Sequence, residues 1–98
     1  NEKHAKNLIV LPESIIPDWS TATAASLTEI DMRRLLQLGT EIVLLGTGSR
    51  LRFPSGILMR PFAPAGIGLE VMDLRAACRT YNILAAEGRK VAAALVFD

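Results

Sequence analysis

The sequence predicts an α/β domain of three layers, with helices packed on a mixed, largely parallel central sheet and elements in the order β-α-β-α-β-α-β. Three observations carry this. Ile42–Leu45 and Val91–Phe97 are apolar at every position, the pattern of strands covered on both faces. Helix-like segments with recognisable start and stop residues fall between the strand-like ones, which is the sequence form of a layered α/β domain. At 98 residues, half of them apolar, the chain has enough for one domain, 1–98, with one core.

The elements follow in order. Leu8–Leu11 is a short apolar run stopped by Pro12, read as a strand. Residues 12–26 read as irregular, with two prolines followed by Ser, Thr and Ala around Trp19; Trp19 is expected to cover the core. Thr28 is the expected N-cap of a helix over 28–38, with Asp31 completing a capping box and Gly39 as the stop. Its apolar positions are Ile30, Leu35 and Leu38, widened by Met32 and Leu36. The strand Ile42–Leu45 ends abruptly at Gly46-Thr47-Gly48. A short strand is expected at Leu51–Phe53, then a helix over 55–63 that carries Pro61 inside it. Gly68–Met72 alternates and reads as a strand. Asp73 is the expected N-cap of a helix over 73–87 that stops at Gly88, and Val91–Phe97 is the last strand.

Composition excludes several classes of function. With 11 basic and 10 acidic residues the formal net charge is +1, which argues against non-specific nucleic-acid or membrane-surface binding as the main activity. No apolar run is long enough to span a bilayer. The single Cys excludes an internal disulfide and a multi-Cys zinc site. The single His4 lies in a polar stretch without convergent partners, so no metal site is expected. No cofactor and no catalytic residue are predicted, because Cys78 has no readable base or resolving thiol near it. Cys78 is expected to be a buried structural residue.

Two places could carry function. Gly46-Thr47-Gly48 follows a buried strand, and open α/β sheets place ligands at the strand ends. Neither a dinucleotide fingerprint nor a P-loop is present, so the segment is a strand-ending turn or a loop that lets a ligand approach. The start of the 73–87 helix at Asp73 belongs to the same end of the sheet. On that helix, Leu74, Ala77, Cys78, Tyr81, Leu84 and Ala85 form the expected inward stripe, while Arg75, Arg79 and Asn82 fall at i, i+4 and i+7 on the other side. Like charges at i, i+4 repel. Glu70, Asp73, Glu87 or an external anion would compensate them.

The segment Ala76-Ala-Cys-Arg-Thr-Tyr-Asn-Ile-Leu84, with Glu87-Gly-Arg89, the Gly-Thr-Gly and the strand leading into Asp73, resembles a small domain family of unknown molecular function. That family includes a mitochondrial complex I assembly factor and a cytoplasmic adipogenesis-associated protein. The resemblance runs from Leu8 to Phe97. It implies a three-layer α/β fold around a mixed sheet, a protein partner, and non-enzymatic assembly or interaction work, linked to respiratory-complex or membrane-protein biogenesis and without an established reaction, in a bacterial cytoplasm. In that family a further strand or hairpin precedes the residue matching Asn1, so the chain is expected to lack this element, and the chain departs from the family pattern at Leu74, where Thr is common. The alternative function is a small-ligand or anion-binding domain, an enzyme among the options, with its site near Gly46–Gly48 and the start of the 73–87 helix at Asp73.

Overall fold

The computed structural model describes residues 6–97, so His4 lies outside the described residues. Five strands, β1 (Leu8–Leu11), β2 (Ser14–Pro17), β3 (Ile42–Gly46), β4 (Gly68–Met72) and β5 (Val91–Leu95), form one sheet in the order β2-β1-β5-β3-β4. Three helices, α1 (Glu29–Leu36), α2 (Gly56–Met59) and α3 (Leu74–Ala86), lie between them. The class is the α/β one predicted, and the two strands read as apolar on both faces, β3 and β5, occupy interior places in the sheet.

The topology departs from expectation at the start. The stretch taken as irregular begins with β2, so the order opens β-β rather than β-α. Leu11 pairs with Ser14 across a two-residue connection, Pro12-Glu13. Both prolines sit where a missing N–H costs no ladder bond: Pro12 in the turn, Pro17 at the end of an edge strand. Because β1 runs antiparallel to both β2 and β5, while β3 runs parallel to β4 and β5, half the pairings are antiparallel. The sheet is mixed, but not largely parallel. Residues 51–53 form no strand; the chain there is an irregular loop.

Period-two alternation splits the core into two layers. On one face Val43, Leu45, Ala92 and Ala94 meet Trp19, Leu27, Met32, Leu35 and Phe62. On the other, Ala93 and Leu95 meet Ala77 of α3, with Leu74 and Tyr81 partly buried beside them. β5 is buried at every position. Its three central alanines leave room for both layers to approach.

Local chemistry ends most elements where expected. Thr28 and Asp31 form a reciprocal capping box: the Thr28 hydroxyl accepts from the Asp31 N–H, and the Asp31 carboxylate accepts from the Thr28 N–H. α1 ends at Leu36, short of 38, and Ile30 in its first turn is exposed. Gly39 and Gly88 take the left-handed conformation, φ +77° and +80°, which follows a helix end at little cost only for glycine. The segment expected as one helix over 55–63 is α2 followed by a 3-10 turn at Arg60–Phe62. Pro61 lacks the N–H an α-helical ladder needs, so the coil tightens there.

Trp19 is buried over the sheet as expected, and hydrogen bonds hold it. Its indole N–H donates to the Leu95 carbonyl at 3.2 Å, and its own carbonyl accepts from the Arg34 guanidinium. Buried Asn7 ties three segments together. Its amide donates to the carbonyls of Ser20 and Ala22, and its carbonyl accepts from the Phe97 N–H.

Leu44 is fully buried in β3. Leu44→Asp places an unpaired charge in that layer, a cost of several kcal/mol against a total stability of about 5–15 kcal/mol. We expect the variant to lose its cooperative thermal transition; a melt like the wild type's would contradict the central position of β3.

Candidate functional site

The parallel strands β3 and β4 feed crossovers to opposite faces of the sheet, α2 on one and α3 on the other. Their adjacent ends, Gly46–Gly48 and Met72–Asp73, form the switch point at which α/β sheets carry ligands. Here the two ends are joined by backbone. The Thr47 N–H donates to the Met72 carbonyl at 2.9 Å, and the Leu74 N–H donates to the Gly48 carbonyl at 2.8 Å.

Each residue of the Gly-Thr-Gly turn has a local reason. A Cβ on Gly46 would stand 2.9 Å from the Ala77 Cβ and 3.0 Å from the Leu95 Cδ2, so glycine is what lets α3 lie close on the sheet. Gly48 has φ +80° and supplies the left-handed step. Thr47 is fully buried. Its hydroxyl donates to the Arg50 carbonyl at 2.7 Å and accepts from the Arg52 N–H at 3.0 Å. The loop after β3 therefore curls around this one hydroxyl. Asp73 caps α3, its carboxylate accepting from the Ala76 N–H at 2.9 Å.

The structure thus brings Gly46, Thr47, Gly48 and Asp73 into one junction. Arg75, Arg79 and Asn82 lie elsewhere, together on the exposed face of α3. Internal neutralisation of the two arginines by Glu70, Asp73 or Glu87 is not realised: among the described residues neither Arg75 nor Arg79 forms an ion pair. The Arg89–Glu41 pair, at 3.7 Å between exposed side chains, is at the other end of the helix.

Cys78 corrects a second expectation, because the thiol is exposed. α3 lies mainly over β3 and β5, and only Ala77 is fully buried on it. Cys78, about 100° round the helix from Ala77, faces solvent on the side shared with Ala85, which borders the β1–β2 turn. Tyr81, Leu84 and Ala85 are half-buried. Burial pushes the Tyr81 phenol above its ordinary pKa, so it stays neutral at physiological pH. Among the described residues no cluster of His, Cys, Asp and Glu is placed to hold a metal ion.

Beyond the predicted residues, a cleft of about 440 Å³ is lined by Thr23, Ala24, Ala25, Ser49, Arg50 and Arg52. The pattern at Leu51–Phe53 predicts a strand, which does not mark Arg50 and Arg52 as lining a cleft. The available signal was the distribution of charge along the chain rather than its sum.

Three outcomes follow from this geometry. Asp73→Ala should lower stability by about 1 kcal/mol, the ordinary cost of a lost N-cap. Gly46→Ala should cost about 1–3 kcal/mol, as overpacking does, since both neighbours are parts of the core; denaturant midpoints at unchanged slope would measure both. Cys78 should react with a maleimide in the folded protein at a rate that added denaturant does not raise. Labelling that waits on unfolding would place the thiol inside.

A family model described as a protein of unknown function (DUF498/DUF598) matches residues 1–96. Over 89 residues the chain is 35% identical to the Bos taurus protein named NADH dehydrogenase (ubiquinone) 1 alpha subcomplex assembly factor 3, an alignment spanning 89% of this chain and 48% of that relative. The chain therefore covers about half the length of the curated relative. Among solved structures, one from Xanthomonas campestris superposes with a TM-score of 0.84 at 40% identity, covering 93% of this chain and 69% of the other. A crystal structure from Bordetella parapertussis gives 0.86 at 36%, covering 97% and 81%. By the fold and a match along nearly its whole length, the chain belongs to the DUF498/DUF598 family of proteins of unknown function.

Proposed function

We propose that the chain is a non-enzymatic interaction domain that works in a bacterial cytoplasm in the assembly of a respiratory complex, with a protein partner held on the exposed face of α3. The observation that carries the assembly role is the similarity to an assembly factor of NADH dehydrogenase over most of this chain. The choice of face is supported by Arg75 and Arg79. Two guanidinium groups at i, i+4 repel and have no carboxylate among the described residues to offset them. Arginine pairs in bidentate fashion with carboxylates and is enriched at interfaces, so an acidic patch on a partner fits this face.

The alternative, a ligand site at Gly46–Gly48 and Asp73, is the weaker reading. The Thr47 hydroxyl and the Asp73 carboxylate already have backbone partners, and the Gly46 side of the turn is filled by Ala77 and Leu95.

Deleting the gene in its own organism should lower the amount of assembled respiratory NADH dehydrogenase on native gels, with recovery on re-expression; an unchanged amount rejects the assembly role. The Arg75→Ala, Arg79→Ala double variant should melt within a few tenths of a kcal/mol of wild type, since only a repulsive pair is removed, yet fail to restore the complex. Full restoration by that variant moves the interface off α3.

A further inference from the structure

The near-zero net charge of the chain conceals a segregation. Residues 42–69 contain Arg50, Arg52 and Arg60 and no Asp or Glu. The remainder, with eight basic and ten acidic residues, is therefore slightly acidic, and the net positive charge of the chain comes from the crossover from β3 through α2 to β4. The same crossover projects large apolar side chains into solvent: Leu51 is 52% exposed, Phe53 64% and Ile57 70%.

These groups are not on a slack loop. The buried Thr47 hydroxyl holds the backbone of both Arg50 and Arg52, and Pro54 is buried behind them. Arg50 and Arg52 border one cleft, and no ion pair engages either of them among the described residues. Glu29, which borders Ile57, is accompanied by Arg33 in the same cleft.

We propose that this crossover is a membrane-docking surface, with Leu51, Phe53 and Ile57 entering the headgroup–acyl boundary of an anionic bilayer and Arg50, Arg52 and Arg60 contacting its lipid phosphates. The charge pattern selects the occupant. A cationic segment free of acids is attracted to an anionic leaflet, and guanidinium groups bind phosphate oxygens. The shape selects it too. Leu51 and Phe53 line none of the clefts described above and stand out from the loop, which suits a medium that conforms to them, as lipid does. Arginine stems can lie along such a boundary with their heads in the polar layer. This docking does not rest on the assembly role or on the α3 face.

The test is co-sedimentation of the purified chain with vesicles of equal parts phosphatidylglycerol and phosphatidylcholine, against vesicles of phosphatidylcholine alone. We expect partition into the anionic vesicles, loss in high salt, and little binding to the neutral ones. Arg50→Gln with Arg52→Gln should weaken partition about 30-fold, at roughly tenfold per 1.4 kcal/mol and one such basic residue contributing about 1 kcal/mol. Leu51→Ser with Phe53→Ser should also weaken it while leaving the melt in place. Thr47→Val, which frees the loop from its anchor, should weaken it without altering charge or apolar area. The Arg75→Ala, Arg79→Ala variant should bind vesicles like wild type, which separates this surface from the α3 face. Equal binding to both vesicle types, binding to neither, or an anionic preference that survives both loop double variants overturns the proposal. So does a chain that ignores vesicles but binds polyglutamate through Arg50 and Arg52, which would assign the surface to an acidic protein.

Discussion

The whole sheet depends on β5. It is the strand that joins an antiparallel half, β2-β1, to a parallel half, β3-β4, through ladders on both its edges. Among the described residues it is also the last strand, so the two halves are united only when Val91–Leu95 is in place. That demands a strand whose backbone pairs on both sides and whose side chains suit two layers at once. Val91-Ala-Ala-Ala-Leu95 meets the demand with small side chains at its centre. Larger ones there would hold α3 on one side and the Trp19 layer on the other away from the sheet.

The close approach of α3 propagates from that constraint to the switch point. With Ala93 beneath it, Ala77 comes down until no Cβ fits on Gly46, and the end of β3 must turn at once. Thr47 and Gly48 make the turn, and the helix start is stitched to it through Leu74 and Asp73. What would be an open crevice in a wider α/β sheet is here closed by main-chain hydrogen bonds. The polar groups suited to meeting other molecules are pushed outward, to the exposed face of α3 and to the loop that curls around Thr47.

That division bears on how a small domain without a readable catalytic pair can be specific. Exposed arginines stand on two separate surfaces, one on a helix and one on a loop pinned by a buried hydroxyl, and these are the surfaces on which the proposed recognition rests. In both, the guanidinium groups lack an internal counter-ion among the described residues, and an unpaired charge of this kind is free to meet an external anion without first breaking a contact. Both surfaces stand on backbone held by hydrogen bonds, the loop through Thr47 and the start of α3 through Asp73 and Gly48.

Much of this was determined by the sequence alone, wherever the cause is local. Runs apolar at every residue mark β3 and β5 as interior strands, because any exposed face would show polar positions. Thr28 with Asp31, and Asp73, announce helix starts through groups a few residues away, and Gly39 and Gly88 follow helix ends because their backbone needs φ > 0. Family resemblance along the chain was legible for the same reason, being carried by contiguous residues. The tertiary structure decided what depends on distant neighbours. β2 becomes a strand because β1 lies beside it, although its prolines and exposure hide it in sequence. Cys78 faces solvent because the order of strands seats α3 over β3 and β5, with Ala77 rather than Cys78 against the sheet. Thr47 is occupied because Met72, 25 residues on, and the returning loop converge on it. Which oxygen is free and which side chain is bare are properties of the assembled sheet, and no spacing within a segment can report them.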